Sequence, residues 1–340
     1  MARIQNDIPS LVFPWQVDTI TFIRENGDGD DTQIYFVAGA EQRVLIDDRF
    51  SFGPDGKLVL SGLASILNDT VDSLIELSPA ALHYGSSSVG FSFLYCRVNT
   101  RLNAIDFCEN RFLTLSGPCK YTSLESVEYL SAFLYIDQVI RVEVDAVYWT
   151  GSVLEQQSSV FEEIYTDIEP LQINVSPSRF VRSDATLLRY TITAGRRKME
   201  YRIAYHTPVE QLQFVNSFGC LETFPFPGTL ETTSKLTRKS SFINGRYRLY
   251  DMDEVVSHKV KTGFLTPSMH SVFDDLCRSL SLFDASGREL TITDSESSRK
   301  NDEDDFPTGS VTYRLSDSLP SGPDLSQSRS FDHTFDDTFS

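Results

Sequence analysis

Hydrolysis by a side-chain nucleophile needs a serine or cysteine held beside a base. The nearest approach in this chain is Gly85-Ser86-Ser87-Ser88-Val89-Gly90. Its residue types suit a nucleophile elbow, but the Gly-x-Ser-x-Gly spacing that presents the hydroxyl at a strand–helix turn is missing. The segment reads as a flexible connection. Phosphate cradling needs G-x-x-x-x-G-K-[ST], or a G-x-G-x-x-G that opens a helix, and neither occurs. Asp28, Asp30 and Asp31 have the charge for a calcium ion. Their loop lacks the required glycine and the late bidentate Glu of an EF-hand, and strands flank it, so it reads as a solvated turn. His83, His206, His258, His270 and His333 lie far apart with no H-x-x-x-H spacing, and Cys96, Cys108, Cys119, Cys220 and Cys277 form no C-x-x-C pair. Surface or satisfied imidazoles and free buried thiols are expected, with no metal, cofactor or disulfide framework. Paired carboxylates for glycoside chemistry are joined only by the fold, and 48 acidic residues leave any such pair open. Trp15, Trp149 and the tyrosines could stack on sugars, but at strand spacing they read as core or cross-strand pairs.

Two other constellations suit binding. Lys235, Arg238, Lys239, Arg246 and Arg248 make one locally basic segment in a chain of net charge −18. Asn244-Gly245 sits between them, the strongest short-range hairpin signal here. A basic arm gains Coulomb attraction on an acidic face of an identical neighbour, so this hairpin is expected to be an oligomer contact. Phe331, Phe335 and Phe339 recur every four residues in an acidic tail. They fall on one side of either a helix or a strand and suit a docking peptide.

The surrounding elements read as mainly β. Thr19–Ile23, Gln33–Val37, Arg43–Ile46, Phe50–Phe52, Lys57–Leu60, Phe91–Val98 and Arg111–Leu115 are expected strands, with a short helix over Glu125–Leu130. Gln138–Thr150 alternates along most of its length, and Gly195-Arg196 joins Leu187–Ala194 to Lys198–Tyr205 as a hairpin. Thr266 and Pro267 start a helix with an apolar stripe at Val272, Phe273, Leu276, Cys277 and Leu280. Ser281–Phe283 pairs with Glu289–Thr293, Asp294–Asp305 reads as a mobile polar loop, and Val311–Leu315 is a last strand. The expected organisation is an N-terminal β domain (1–134), a middle β-sandwich (135–210), a β domain with one packed helix (211–316) and a flexible acidic tail (317–340).

The acidic charge repels phosphate and anionic headgroups, so neither sequence-specific nucleic acid nor membrane is an expected partner. No signal peptide is visible and no window approaches the roughly 20 apolar residues of a membrane helix, which favours cytoplasmic synthesis.

Phe218-Gly219-Cys220-Leu221-Glu222-Thr223-Phe224 resembles a strand entry in phage and prophage tail proteins of gut Bacteroidales. Thr262-Gly263-Phe264-Leu265-Thr266, the helix after it, the Phe283–Ile292 hairpin and Thr293-Asp294-Ser295 follow the order of the same group. More loosely, that order resembles the tube-like sandwich-plus-helix module of tail tube and distal tail proteins. The Phe331–Phe339 repeat is similar to short tails in these proteins. The resemblance covers roughly residues 216–340 and brings no catalytic residues. It implies a structural, non-enzymatic component of a tail tip or baseplate, made in the bacterial host and ending in the virion tail. Its partners would be copies of itself in a ring and neighbouring tail proteins. A carbohydrate-binding adhesin or receptor-binding tip, and a tail-associated glycan hydrolase, are the rival expectations.

Overall fold

The computed structural model describes residues 2–25, 31–71, 76–98, 102–134, 138–166, 170–204, 207–299 and 306–316. Strands take 57% of the described residues and helices 11%, so the protein is mainly β. The first block holds β1 (Ala2–Ile4), β2 (Leu11–Val12), β3 (Thr19–Arg24), β4 (Asp31–Ala38), β5 (Arg43–Ser51), β6 (Lys57–Ser61), α1 (Leu63–Asn68), β7 (Leu77–Tyr84) and β8 (Ser87–Leu94). They form a three-stranded sheet, β1-β3-β6, and a five-stranded sheet, β2-β8-β7-β4-β5, around Phe22, Phe36, Leu82 and Phe93.

Next come α2 (Ala104–Asn110), β9 (Cys119–Thr122), β10 (Tyr129–Phe133), β11 (Gln138–Trp149), β12 (Leu154–Thr166), β13 (Pro170–Asn174), β14 (Thr186–Ala194) and β15 (Arg197–Ile203). Their main sheet runs β12-β11-β14-β15-β9, and β10 pairs with β13. The β9–β15 pairing is parallel and brings residues 119–122 beside residues 200–203. Val142, Val144 and Ala146 of β11 point into the core with Tyr190 and Tyr201, whose rings stack at 4.9 Å.

The last block is β16 (Glu210–Val215), β17 (Leu221–Phe226), β18 (Leu230–Ile243), β19 (Arg246–Lys261), α3 (Pro267–Cys277), β20 (Leu282–Asp284), β21 (Glu289–Ser298) and β22 (Thr308–Leu315). Its seven strands run β17-β16-β20-β21-β22-β19-β18. Helix α3 lays Met269, Val272, Phe273 and Leu276 on Phe224, Phe226 and Val311. The Thr266 hydroxyl accepts from the Met269 N–H as the expected cap, and Pro267 opens the helix. Leu280 lies beyond the helix and is exposed.

Several expected elements differ. Gly85-Ser86 is the tight turn of the β7–β8 hairpin rather than a flexible connection, with Gly85 at φ +58°. Glu125–Leu130 is not helical: the Glu128 N–H donates to Ser176 Oγ and its carbonyl accepts from the Val175 N–H, so tertiary partners claim that backbone. Arg111–Leu115 joins no ladder, because Arg111 ends α2 and only the Leu113 N–H reaches β10, at Ser131. Residues 294–298 continue strand β21 against β22 instead of starting a loop. The short helices α1 and α2 carry too few periodic apolar positions to be read from sequence.

A mixed core joins the blocks. Leu11, Phe13, Leu94 and Cys96 of the first meet Phe107, Cys108 and Phe133 of the second and Phe218 and Cys220 of the third. The Phe107 and Phe218 rings stack at 5.1 Å. All five cysteines are free, and burial raises Cys96, Cys108 and Cys220 to about 12. Beside this core lies a sealed polar cluster. Lys120 Nζ of β9 sits 2.9 Å from Glu128, 3.5 Å from Glu222 of β17 and 2.7 Å from the Thr223 carbonyl. Thr122 donates to Glu128, while Thr114 and Asn216 donate to Glu222.

Candidate functional site

The β18–β19 hairpin is the feature that leaves the body of the fold. Antiparallel pairing runs without interruption from Leu230↔Val260 to Ile243↔Arg246, apart from a bulge at Lys239/Ser240. On its other side, β19 pairs with β22 only over His258–Lys261. From Thr233↔Ser257 outward the hairpin is therefore a two-stranded ribbon among the described residues. Its eleven residues on β18 reach about 35 Å at strand rise. Asn244 (φ +51°) and Gly245 (φ +76°) make the two-residue turn that Asn-Gly favours.

Alternation sorts the ribbon into two faces. One carries Leu236, Arg238, Ser240 and Phe242 opposite Glu254, Met252, Leu249 and Tyr247, with Val256 opposite Ser234. This face continues through His258 to buried Val260, so it extends the side that covers the core. Phe242 and Tyr247 meet edge to face at 5.1 Å and are 63% and 78% exposed. Leu249, Leu236 and Met252 are also exposed. The opposite face carries Lys235, Lys239, Arg246 and Arg248 with Thr237 and Asp253. All five expected cations are exposed and share the arm, but only Arg238 lies on the apolar face. Residues 235–248 hold five positive charges and no acid.

The root of the arm is rigid. His258 stacks on Tyr313 at 5.3 Å, and burial lowers its pKa, which keeps it neutral near pH 7. Gly228 precedes β18, and a Cβ there would lie 2.3 Å from the Lys261 carbonyl oxygen and 2.8 Å from its carbon. Those atoms are backbone and cannot swing aside. Gly228→Ala should thus cost about 1–3 kcal/mol, read as a lower denaturant midpoint, by pushing the arm's root from the sheet.

Groups of catalytic type occur elsewhere. Ser297 Oγ lies 3.0 Å from His270 Nε2, and His270 Nδ1 lies 3.5 Å from Asp274. A hydrolytic triad passes the hydroxyl proton to the imidazole. Here the hydroxyl donates directly to Asp274 at 2.6 Å, so the trio latches β21 to α3. The sequence concealed it, because Ser297 stood in an apparent loop. Glu128 and Glu222 are brought together, but both are buried around Lys120 and face no cleft. A cavity of about 140 Å³ is lined by Tyr95, Arg97, Ser217, Asp275, Arg278 and Ser279, too small for a drug-sized ligand. Its Asp275 accepts from the Ser217 N–H and hydroxyl, and burial raises its pKa. No three His, Cys, Asp or Glu converge on a point suited to a metal among the described residues. Asp31 accepts from Ser51, whereas Asp28, Asp30, His206 and His333 lie outside the described residues. So do Phe331, Phe335 and Phe339. Trp149 is part-exposed at the end of β11, and Trp15 is half-buried. No helix among the described residues is long and apolar enough to cross a membrane.

Comparison with models of known protein families gives no match, and comparison with curated proteins gives none.

Proposed function

We propose that this chain is a structural subunit of a phage or phage-like tail tip or baseplate, and that it works by assembling with copies of itself through the β18–β19 arm. One observation carries the assembly reading: the ribbon's apolar face extends the core-covering side of the sheet beyond the body and is exposed in the single chain. A two-stranded ribbon is marginal alone, so such a face is best satisfied by a partner. The tail-tip reading rests on the resemblance over residues 216–340. It extends to tandem sandwich domains, the last of them tube-like with its packed helix α3, and to location in the virion tail. Phe331, Phe335 and Phe339 would dock on neighbouring tail proteins.

The test is solution mass against concentration for the wild type and for Arg246→Glu with Arg248→Glu. The wild type should assemble, and the swap should weaken association about tenfold or more while the unfolding free energy stays within about 0.5 kcal/mol. A monomeric wild type at all concentrations would reject assembly by this chain alone. The exposed Phe242–Tyr247 pair also favours a second reading, a carbohydrate-binding tip. Glycan binding lost in Tyr247→Ala, with solution mass unchanged, would select it.

A further inference from the structure

The basic arm tip needs an acidic seat, and the sheet edges offer one that fits. Among the described residues, the edge strands of the five sheets are β1, β6, β2, β5, β10, β13, β9, β12, β17 and β18. Most are short: β1 has three residues, β2 two, β9 four, and β6, β10 and β13 five each. β17 has six residues and is largely buried. β5 has nine, with Arg43 and Arg49 against Asp47 and Asp48, and so is neutral. Two edges are long. β12 has thirteen residues with Glu155, Glu162 and Glu163 and no Lys or Arg; Glu155 pairs with Arg182 at 2.9 Å, so the acidic seat is the Glu162-Glu163 doublet. β18 has fourteen, with Lys235, Arg238 and Lys239 against Glu231. The doublets Glu162-Glu163 and Arg238-Lys239 match in spacing, and residues 154–160 of β12 are all exposed.

We infer that β18 of one copy adds to the open edge of β12 in the next copy, joining the two sheets. This rests on the assembly reading above and names its contact. Unpaired backbone N–H and C=O groups on two long edges supply a ladder, and opposite charge selects the partner. A symmetric arm-to-arm dimer would set two arms against one another that each carry, over residues 235–255, Lys235, Arg238, Lys239, Arg246 and Arg248 against Asp251, Asp253 and Glu254, a net positive charge. Like charge disfavours it. An arm-to-β12 contact is heterologous instead, so repetition closes a ring or builds a filament.

A reciprocal charge swap tests this. One variant carries Glu162→Lys and Glu163→Lys, the other Lys235→Glu and Arg238→Glu. Each alone has two like-charged edges and should associate at least tenfold more weakly than the wild type, by sedimentation. Mixed in equal amounts they again present opposite edges, and the wild-type mass should return. That recovery also shows that both variants are folded. Wild-type mass in the Glu162/Glu163 variant alone, or folded variants that fail to assemble on mixing, would overturn the β12 seat and leave assembly standing. A wild type that stays monomeric would overturn the assembly reading itself.

Discussion

Lys120→Met should destabilise the chain by about 3–5 kcal/mol, the cost of breaking a buried ion pair by removing one partner. Lys120 is 1% exposed, Glu128 0% and Glu222 5%. Without the ammonium, two carboxylates remain in a sealed site, held by donors from Thr122, Thr114 and Asn216 that cannot cancel their charge. Burial already pushes the Glu128 carboxyl above its usual range. Burial opposes the charge on Lys120 too, but the two carboxylates outweigh it and hold its pKa above the ordinary lysine value. A raised lysine pKa means its stabilisation is complete at neutral pH and is lost only as pH rises through the folded value. Urea unfolding at pH 7 measures the effect. Adding Glu128→Gln and Glu222→Gln to Lys120→Met should recover part of the loss, because amides bury without charge. If Lys120→Met alone unfolds within about 1 kcal/mol of the wild type, the cluster does not join β9 to β17 as described.

Leu249→Asp combined with Met252→Asp should abolish assembly while sparing the monomer. Both residues lie on the apolar face of the ribbon, 56% and 40% exposed, so the fold loses little when they change. In a contact each apolar side chain contributes roughly 1.5–3 kcal/mol, and an acid left there adds an unpaired charge. Association should weaken at least about a hundredfold. The control is Thr237→Asp with Ser241→Asp on the opposite face, which should alter association less. Equal effects from both faces would mean that overall charge, rather than the apolar face, governs the contact.

Reading the sequence located the arm but not its faces. Asn244-Gly245 marks the turn by local chemistry, and the helix at Pro267 by its cap and period, because both depend on neighbours within a few residues. The ribbon's length stayed hidden. Around the turn the residue pattern gives Lys239–Ile243 and Arg246–Tyr250 as two short strands and Val255–Thr262 as a further one, whereas the last two are one strand, β19, whose alternation is shifted by the bulge across from Lys239/Ser240. That shift puts Leu249 and Tyr247 on the same side as Met252, which period-two counting along β19 alone would not show.

By itself, the sequence determined the β class, the turns, the helix cap and the concentration of basic charge between 235 and 248. Each follows from propensity or composition over a short window. Only the tertiary structure decided that residues 119–122 pair with residues 200–203, and that Lys120 finds Glu222 across 102 positions. It also decided that Glu125–Leu130 is not helical, and that β12 and β18 are long open edges. Pairing partners are chosen by which apolar faces can be buried together and which polar groups must then be satisfied. That choice is made across the whole chain, so no local pattern encodes it.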